Sequence, residues 1–320
     1  MDKDQRSKFR LYAEYIPFYL LYRLIHRLPL RVGYALSGML FRLLFVFGGI
    51  FRQRAISHLL HAKVCRTPAE ARAMARRSFL EFSKLLVEVV KMDQLYDPAK
   101  IRLTGSPETI DRIFAKDGQP GRENCLIVTA HYGNWEVAGT AFSEKAGRNM
   151  VSIMRPFSNP LIGEMILNHR RSAVHEVVAK EQGIRPLLKA LHDGRIATLL
   201  IDQHASQGEG VETVFFGQPC RTHKTPALLH LKTGVPIVPE LTRRIGDNFD
   251  FELEVGEMIR YTPTGDKEQD VAAVCQLCTT ALEKMIAKQP EQWLWSHRRW
   301  LNINRDRKKG KKRAKPAEQA

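Results

Sequence analysis

The sequence predicts an α/β fold: a mostly parallel central sheet flanked by helices, with an N-terminal hydrophobic, membrane-associating helical segment. Three observations carry the prediction. From Cys125 onward, short apolar runs alternate with helical patterns, the order that builds parallel sheets. Polar residues recur just past those runs: His131 after Cys125–Ala130, Arg155 after Met150–Met154, and Asp202 after Ile196–Ile201. In parallel sheets, sites gather at the C-terminal ends of strands. Finally, aromatic and aliphatic residues interleaved with Arg crowd the first 66 residues.

In order, the N-terminal segment runs Tyr15 to Tyr22, is interrupted by Arg23, His26, Arg27 and Arg31, and resumes over Val32–Phe51 with Arg42 in its middle. It has no small-residue cleavage site, so it is not a signal peptide. The Arg in an otherwise apolar stretch fits a helix lying in the bilayer interface or a short anchor. Thr67-Pro68 starts a helix that carries Met74, Phe79, Phe82, Leu86 and Val89 on an apolar side. Thr104–Pro107 is a turn, and Gly118–Gly121 a loop into the central strand. Strands then follow over Met150–Met154, Val174–Ala179, Ile196–Ile201, Val211–Phe216 and Gly234–Pro239. Phe249, Phe251, Leu253 and Val255 alternate with polar residues, which reads as a one-sided strand near an edge. Asp266–Lys288 is a long helix, followed by an aromatic cluster of Trp293, Trp295 and Trp300. Three segments result: 1–66, membrane-associating; 67–302, the α/β body; and 303–320, a polybasic tail expected to be disordered.

Charge follows the same division. The net charge is +16, of which residues 1–66 supply +9 and residues 303–320 supply +6, leaving a nearly neutral body. Basic ends on a neutral body suit an anionic membrane surface better than nucleic acid. The five cysteines are odd in number and scattered, which excludes a disulfide framework and points to a reducing compartment. Cys275 and Cys278 form a lone Cys-x-x-Cys within a helical pattern, so they read as core residues and no metal site is expected.

The chemistry centres on His131-Tyr-Gly-Asn-Trp-Glu136. Asn134 reads as the N-cap of a helix beginning at Trp135. On one continuous helix, five residues turn about 500° and set the two side chains roughly 140° apart. With His131 in the turn and only Glu136 helical, the two meet. A carboxylate on one imidazole nitrogen then fixes the tautomer, and the other nitrogen takes a proton from a hydroxyl. Composition alone yields about one His-x4-Asp/Glu pair by chance, and the chain holds two, the second being His204 and Glu209. Only the first follows an apolar strand and opens a helix.

That block resembles the His-x4-Asp/Glu block of the bacterial lipid A biosynthesis acyltransferases of the late, lauroyl/myristoyl type, within the glycerolipid acyltransferase superfamily. Arg155 with Asn159-Pro160, Asp202-Gln203 with Glu212 and Phe215-Phe216-Gly217, Thr233–Pro239, and Trp293–Arg298 resemble the family's later blocks, in order. The resemblance implies transfer of a fatty acyl group from acyl carrier protein or acyl-coenzyme A to a hydroxyl of a lipid A precursor. No resident cofactor or metal is implied. His131 is then the general base and Glu136 its orienting partner, with Arg155, Arg170, Asp202, Gln203 and Glu212 binding substrate. The place implied is the cytoplasmic face of a bacterial inner membrane, reached peripherally or by one N-terminal anchor. The Asn-Trp-Glu form also resembles relatives that acylate mannosylated phosphoinositides, which leaves a different glycolipid or a lysophospholipid as alternative acceptor. A non-catalytic basic peripheral membrane protein is the rival from another class, and no nucleic acid partner is expected.

Overall fold

A computed structural model describes residues 7–154, 157–170, 175–179 and 183–301, with the side chains of 167–170 and 179 excepted. Arg155, the first residue of the strand expected from Val174, and the tail 303–320 lie outside the described residues.

Four helices come first: α1 (Lys8–Arg27), α2 (Leu30–Phe47), α3 (Gly49–His61) and α4 (Pro68–Leu95). The start of α4 is a capping box. Thr67 accepts from the Glu70 N–H, and Glu70 accepts in return from the Thr67 N–H. Such a cap contributes about 1 kcal/mol. The expected apolar side of α4 is only partly the buried one. Ser78, Phe79, Ser83, Val87 and Glu88 are buried, whereas Leu86 is exposed. The reason is that α4 is covered on more than one side, by α2 and α3 and by the body.

Helix α2 meets α4 through small residues. Gly33 lies so close to Val87 that an added Cβ would sit 2.8 Å from a Val87 methyl. The Ser37 hydroxyl donates to the Ser83 carbonyl at 2.9 Å. The opposite side of α2 is apolar and exposed: Leu36, Met39, Leu40, Leu43 and Phe47, the last 81% accessible. By length and composition α2 is long and apolar enough to cross a membrane, and a third of it is buried.

The body holds a seven-stranded sheet in the order β1-β9-β8-β2-β5-β3-β4. Its strands are β1 (Ile101–Gly105), β2 (Leu126–Thr129), β3 (Met150–Met154), β4 (His175–Ala179), β5 (Ile196–Leu200), β8 (Ile237–Arg244) and β9 (Phe251–Val255). Every pairing is parallel except β8 with β9. Helices α5 (Pro107–Ile113), α6 (Trp135–Ala146), α7 (Pro160–Arg170), α8 (Arg185–His192), α9 (Thr225–Thr233) and α10 (Lys267–Ile286) connect and cover it. One core layer joins α6 to Ile127, Met150, Val238 and Phe251; the other joins α10, α3 and α4 to Val128, Ala197 and Leu241.

Three expectations change. The run after Val211 forms β6 (Gly210–Phe215), but it pairs antiparallel with β7 (Gln218–His223) in a hairpin outside the main sheet. Strand β9 is second from the edge but not one-sided. Glu252 and Glu254 are buried, with Glu252 ion-paired to Arg102 and Arg243, and Glu254 to Lys288. Ion pairing lets acidic residues sit where alternation reads solvent. Strand β1 takes the edge and runs into the stretch expected to be a turn. Cys275 and Cys278 are buried in α10, as their helical pattern implied.

Candidate active site

The register of the sheet builds the site. β2 and β5 are parallel neighbours with Thr129 opposite Leu200. Two residues further on, past both strand ends, His131 and Asp202 therefore come side by side. His131 Nδ1 lies 2.8 Å from Asp202 Oδ1, and the His131 backbone N–H donates to Oδ2 at 2.9 Å. Trp293 Nε1–H donates to the same Oδ2 at 2.8 Å. With Nδ1–H donating to the carboxylate, Nε2 is the ring's acceptor. Gln203 Nε2 lies 3.3 Å from it.

Asp202 is fully buried. Burial alone would raise its carboxyl pKa. The His131 charge and hydrogen bond, His297 and the Trp293 N–H together outweigh burial and hold the group well below the usual carboxylate range. His297 packs against His131 with ring centroids 4.3 Å apart and planes tilted by 44°. Burial first, and the neighbouring His131 second, push the His297 pKa down to about 4, so it is neutral at pH 7. Trp135 packs edge-to-face with His131, the ring centroids 5.0 Å apart.

The turn between strand and helix is pinned by backbone. Gly133 N–H donates to Gln292, Asn134 N–H to Thr242, and Leu294 N–H to the His131 carbonyl. Gly133 has φ +53°, and a Cβ there would sit 2.0 Å from the Thr242 carbonyl oxygen, so only glycine fits. Asn134 caps α6 as expected, its Oδ1 accepting from the Glu136 and Val137 N–H groups. The C-terminal Trp segment closes the site. Trp293 and Trp295 are fully buried, and Arg299 donates to the Ile201 carbonyl and Thr222 Oγ1.

A cavity of about 620 Å³ is lined by His131, Glu136 and Gln203 and, from α6 and the sheet, by Gly139, Phe142, Met150 and Thr198. That volume lies inside the roughly 300–1,000 Å³ range of small-molecule sites. Gly139 and His175 both line it, and a Cβ on Gly139 would meet that ring at 2.7 Å. Glu240 also lines the cavity, bonded to Thr242 and Thr129. Among the described residues no cluster of His, Cys, Asp and Glu is arranged to hold a metal ion.

Burial raises the Glu240 pKa to about 7, against an ordinary value near 4.3. An acid whose folded pKa is raised is most stabilising when protonated. Folding stability is therefore lost as pH rises from about 4 through 7, by roughly 3 kcal/mol in all. Glu240→Gln is expected to remove that loss, and thermal melting from pH 5 to 8 checks it. An unchanged pH slope in the variant contradicts the assignment.

The structure redistributes the residues singled out in the sequence. The carboxylate on His131 is that of Asp202, not Glu136, because neighbouring strand ends lie closer than a turn and the helix it opens. Asp202, expected to bind substrate, is the carboxylate that holds the His131 ring and backbone. Glu136 and Gln203 line the cavity with His131. Glu212 is on the exposed side of β6 and pairs with Arg221 across the hairpin, outside the cavity lining. Arg170 is the last residue of α7, and its side chain, like Arg155, is outside the described residues. In the sequence, Trp293 belongs to an aromatic cluster and Trp293–Arg298 to a block that resembles the family's last one, with no role given to Trp293 or His297 at the site. The signal available there was the presence of donor-bearing rings in a motif of their own.

The fold and site thus define an α/β protein with an imidazole held by a buried carboxylate at parallel strand ends, beside a cavity. The chain belongs to the bacterial lipid A biosynthesis acyltransferase family, which it matches over residues 5–302. It is 26% identical over 180 residues to a phosphatidylinositol mannoside acyltransferase of Mycobacterium tuberculosis (strain ATCC 25618 / H37Rv), covering 55% of this chain and 54% of that protein. It is 24% identical over 201 residues to the lipid A biosynthesis lauroyltransferase of Escherichia coli (strain K12), covering 62% and 63%. Against the palmitoleoyltransferase of the same strain it is 23% identical over 232 residues, 72% of each chain. The match thus spans about half the length of the mannoside acyltransferase.

Proposed function

We propose that the protein is an O-acyltransferase that moves a fatty acyl chain from a thioester to a hydroxyl of a lipid A precursor at a membrane surface. The observation that carries this reading is the His131 ring, held by buried Asp202, in the wall of a cavity that α6 also lines. His131 Nε2 takes the proton of the acceptor hydroxyl as its oxygen attacks the thioester carbonyl. Asp202 stabilises the imidazolium. The tetrahedral intermediate collapses, the C–S bond breaks, and the leaving thiolate takes the proton back from His131. Positioning both substrates supplies further rate. Glu136, on the same wall, is placed to accept hydrogen bonds from acceptor hydroxyls. The reaction uses no resident cofactor.

The donor is acyl carrier protein or acyl-coenzyme A, both anionic and suited to the basic ends of the chain. The mannoside acyltransferase relatives support a second reading, in which the acceptor is another glycolipid. The test is a transfer assay with a labelled acyl thioester and an under-acylated lipid A precursor. A mass gain of one acyl chain is expected. A gain seen only with another glycolipid moves the acceptor, and no gain with any donor or acceptor ends the reading.

We infer that α2 lies on the cytoplasmic leaflet instead of crossing it, since one side is committed to α4 and the other is apolar and open. Leu40→Glu with Phe47→Glu is expected to weaken binding to anionic vesicles by tenfold or more, at about 1 kcal/mol or more for each buried apolar side chain lost. Vesicle co-sedimentation measures it. Binding equal to wild type would place the membrane contact elsewhere.

A further inference from the structure

A second buried carboxylate stands behind the site. Glu88 of α4 is fully buried, and each of its oxygens accepts twice. Oε1 accepts from the Tyr34 hydroxyl of α2 at 2.7 Å and from Arg244 Nε. Oε2 accepts from Arg244 Nη2 at 2.6 Å and from Asn134 Nδ2 at 2.9 Å. Arg244, in β8, also pairs with Glu81.

The bond to Asn134 matters for chemistry. An amide has one acceptor and one donor end. Because Glu88 takes the NH₂ end, the oxygen must face the N–H groups of Glu136 and Val137, where it caps α6. A reversed amide would set NH₂ against both N–H groups and against nothing that accepts. Three residues before this cap stands His131, and two after it stands Glu136. The carboxylate is therefore connected through one side chain to the turn that carries both.

We propose that Glu88 is a positioning residue of the active site: it fixes the Asn134 amide, and with it the first turn of α6 and the His131–Glu136 turn. Tyr34 brings the apolar helix α2 onto the same carboxylate, so the membrane-facing helix and the catalytic turn share one buried anchor. The inference rests on the acyl-transfer reading for its kinetic readout.

Glu88→Gln keeps the shape but turns a donor toward Asn134 or Arg244. It is expected to lower kcat about 10–100-fold with KM within about threefold, since small misplacements at a site cost such factors. Asn134→Asp keeps a good cap but opposes two carboxylates, and it is expected to lower kcat likewise. The double variant Glu88→Gln/Asn134→Asp reverses the polarity of the bond: the amide introduced on α4 donates to the carboxylate introduced at the cap. It is expected to recover kcat to at least about fivefold above either single variant, short of wild type because the same NH₂ still faces Arg244 Nη2, the coupling signature of a direct pair. A purely structural Glu88 gives no such rescue, and its variants lose activity only in step with melting temperature. Glu88→Gln with kcat within twofold of wild type, or a double variant no better than the singles, overturns the proposal. Should Glu88→Gln not fold, the double variant against Asn134→Asp decides alone. A wild type inactive on every substrate sinks the acyl-transfer reading instead. The fluorotryptophan resonance of Trp135, one of four tryptophans, then reports the first turn of α6: shifted in the singles and restored in the double.

Discussion

His131→Ala is expected to abolish transfer, with a fall in kcat of about 10²–10⁴-fold, the range of a lost general base. The ring packs against Trp135 and His297 and lines the cavity, so its removal enlarges that cavity instead of leaving a sealed void. The turn keeps its backbone bonds from Gln292, Thr242 and Leu294, none of which uses the imidazole. The fold should therefore survive, and circular dichroism and vesicle binding should match wild type. The product mass shift in the transfer assay reads the loss. Wild-type rates at matched vesicle binding would remove His131 from the chemistry and leave Glu136 to be tried next.

Asp202→Asn is expected to be nearly as severe, on the order of 10²–10⁴-fold in kcat. Asp202 accepts from three N–H groups: the His131 ring, the His131 backbone and the Trp293 indole. Asparagine offers one acceptor oxygen, so either orientation of its amide sets NH₂ against at least one of those donors. The variant also changes the response to acid. The folded-state pKa of Asp202 is depressed, so its contribution to stability is present above the unfolded value near 3.9 and is lost as pH falls through and below it. Asp202→Asn should lack that loss. Melting temperature between pH 3 and pH 6 checks it: the gap between wild type and variant should narrow toward pH 3.

What could be read from the sequence was local. The Asn134 cap, the Thr67 cap with Pro68 after it, the strands of the body from Cys125 to Ile201 and the long α10 each follow from residues a few positions apart, and these were placed within a few residues. His131 was likewise placed in the turn between a strand and a helix, because it follows an apolar run and precedes a cap. What could not be read was which strand neighbours which. Asp202 reaches His131 only because β5 lies beside β2, and 71 positions separate the two residues. Spacing along the chain favoured Glu136 for want of that fact. The hairpin of β6 and β7 was missed for the same reason: an alternating strand does not announce its partner. Glu252 and Glu254 were read as solvent-facing because their cations, Arg102, Arg243 and Lys288, come from other elements.

The hold that the first helices keep on the Trp segment bears on when the protein can act. Arg54 and His58 of α3 and Ser78 of α4 bond the carbonyls of Ser296, Trp295 and Trp293. During synthesis α2 leaves the ribosome long before Trp293 does. At about 5–20 residues per second, the interval is on the order of 10–50 s. Through that time Asp202 lacks its indole donor and Leu294 has not yet closed on His131. The apolar face of α2 meanwhile is already exposed and able to find a bilayer. On the membrane contact proposed for α2, that face is available to a bilayer before the His131–Asp202 pair is assembled.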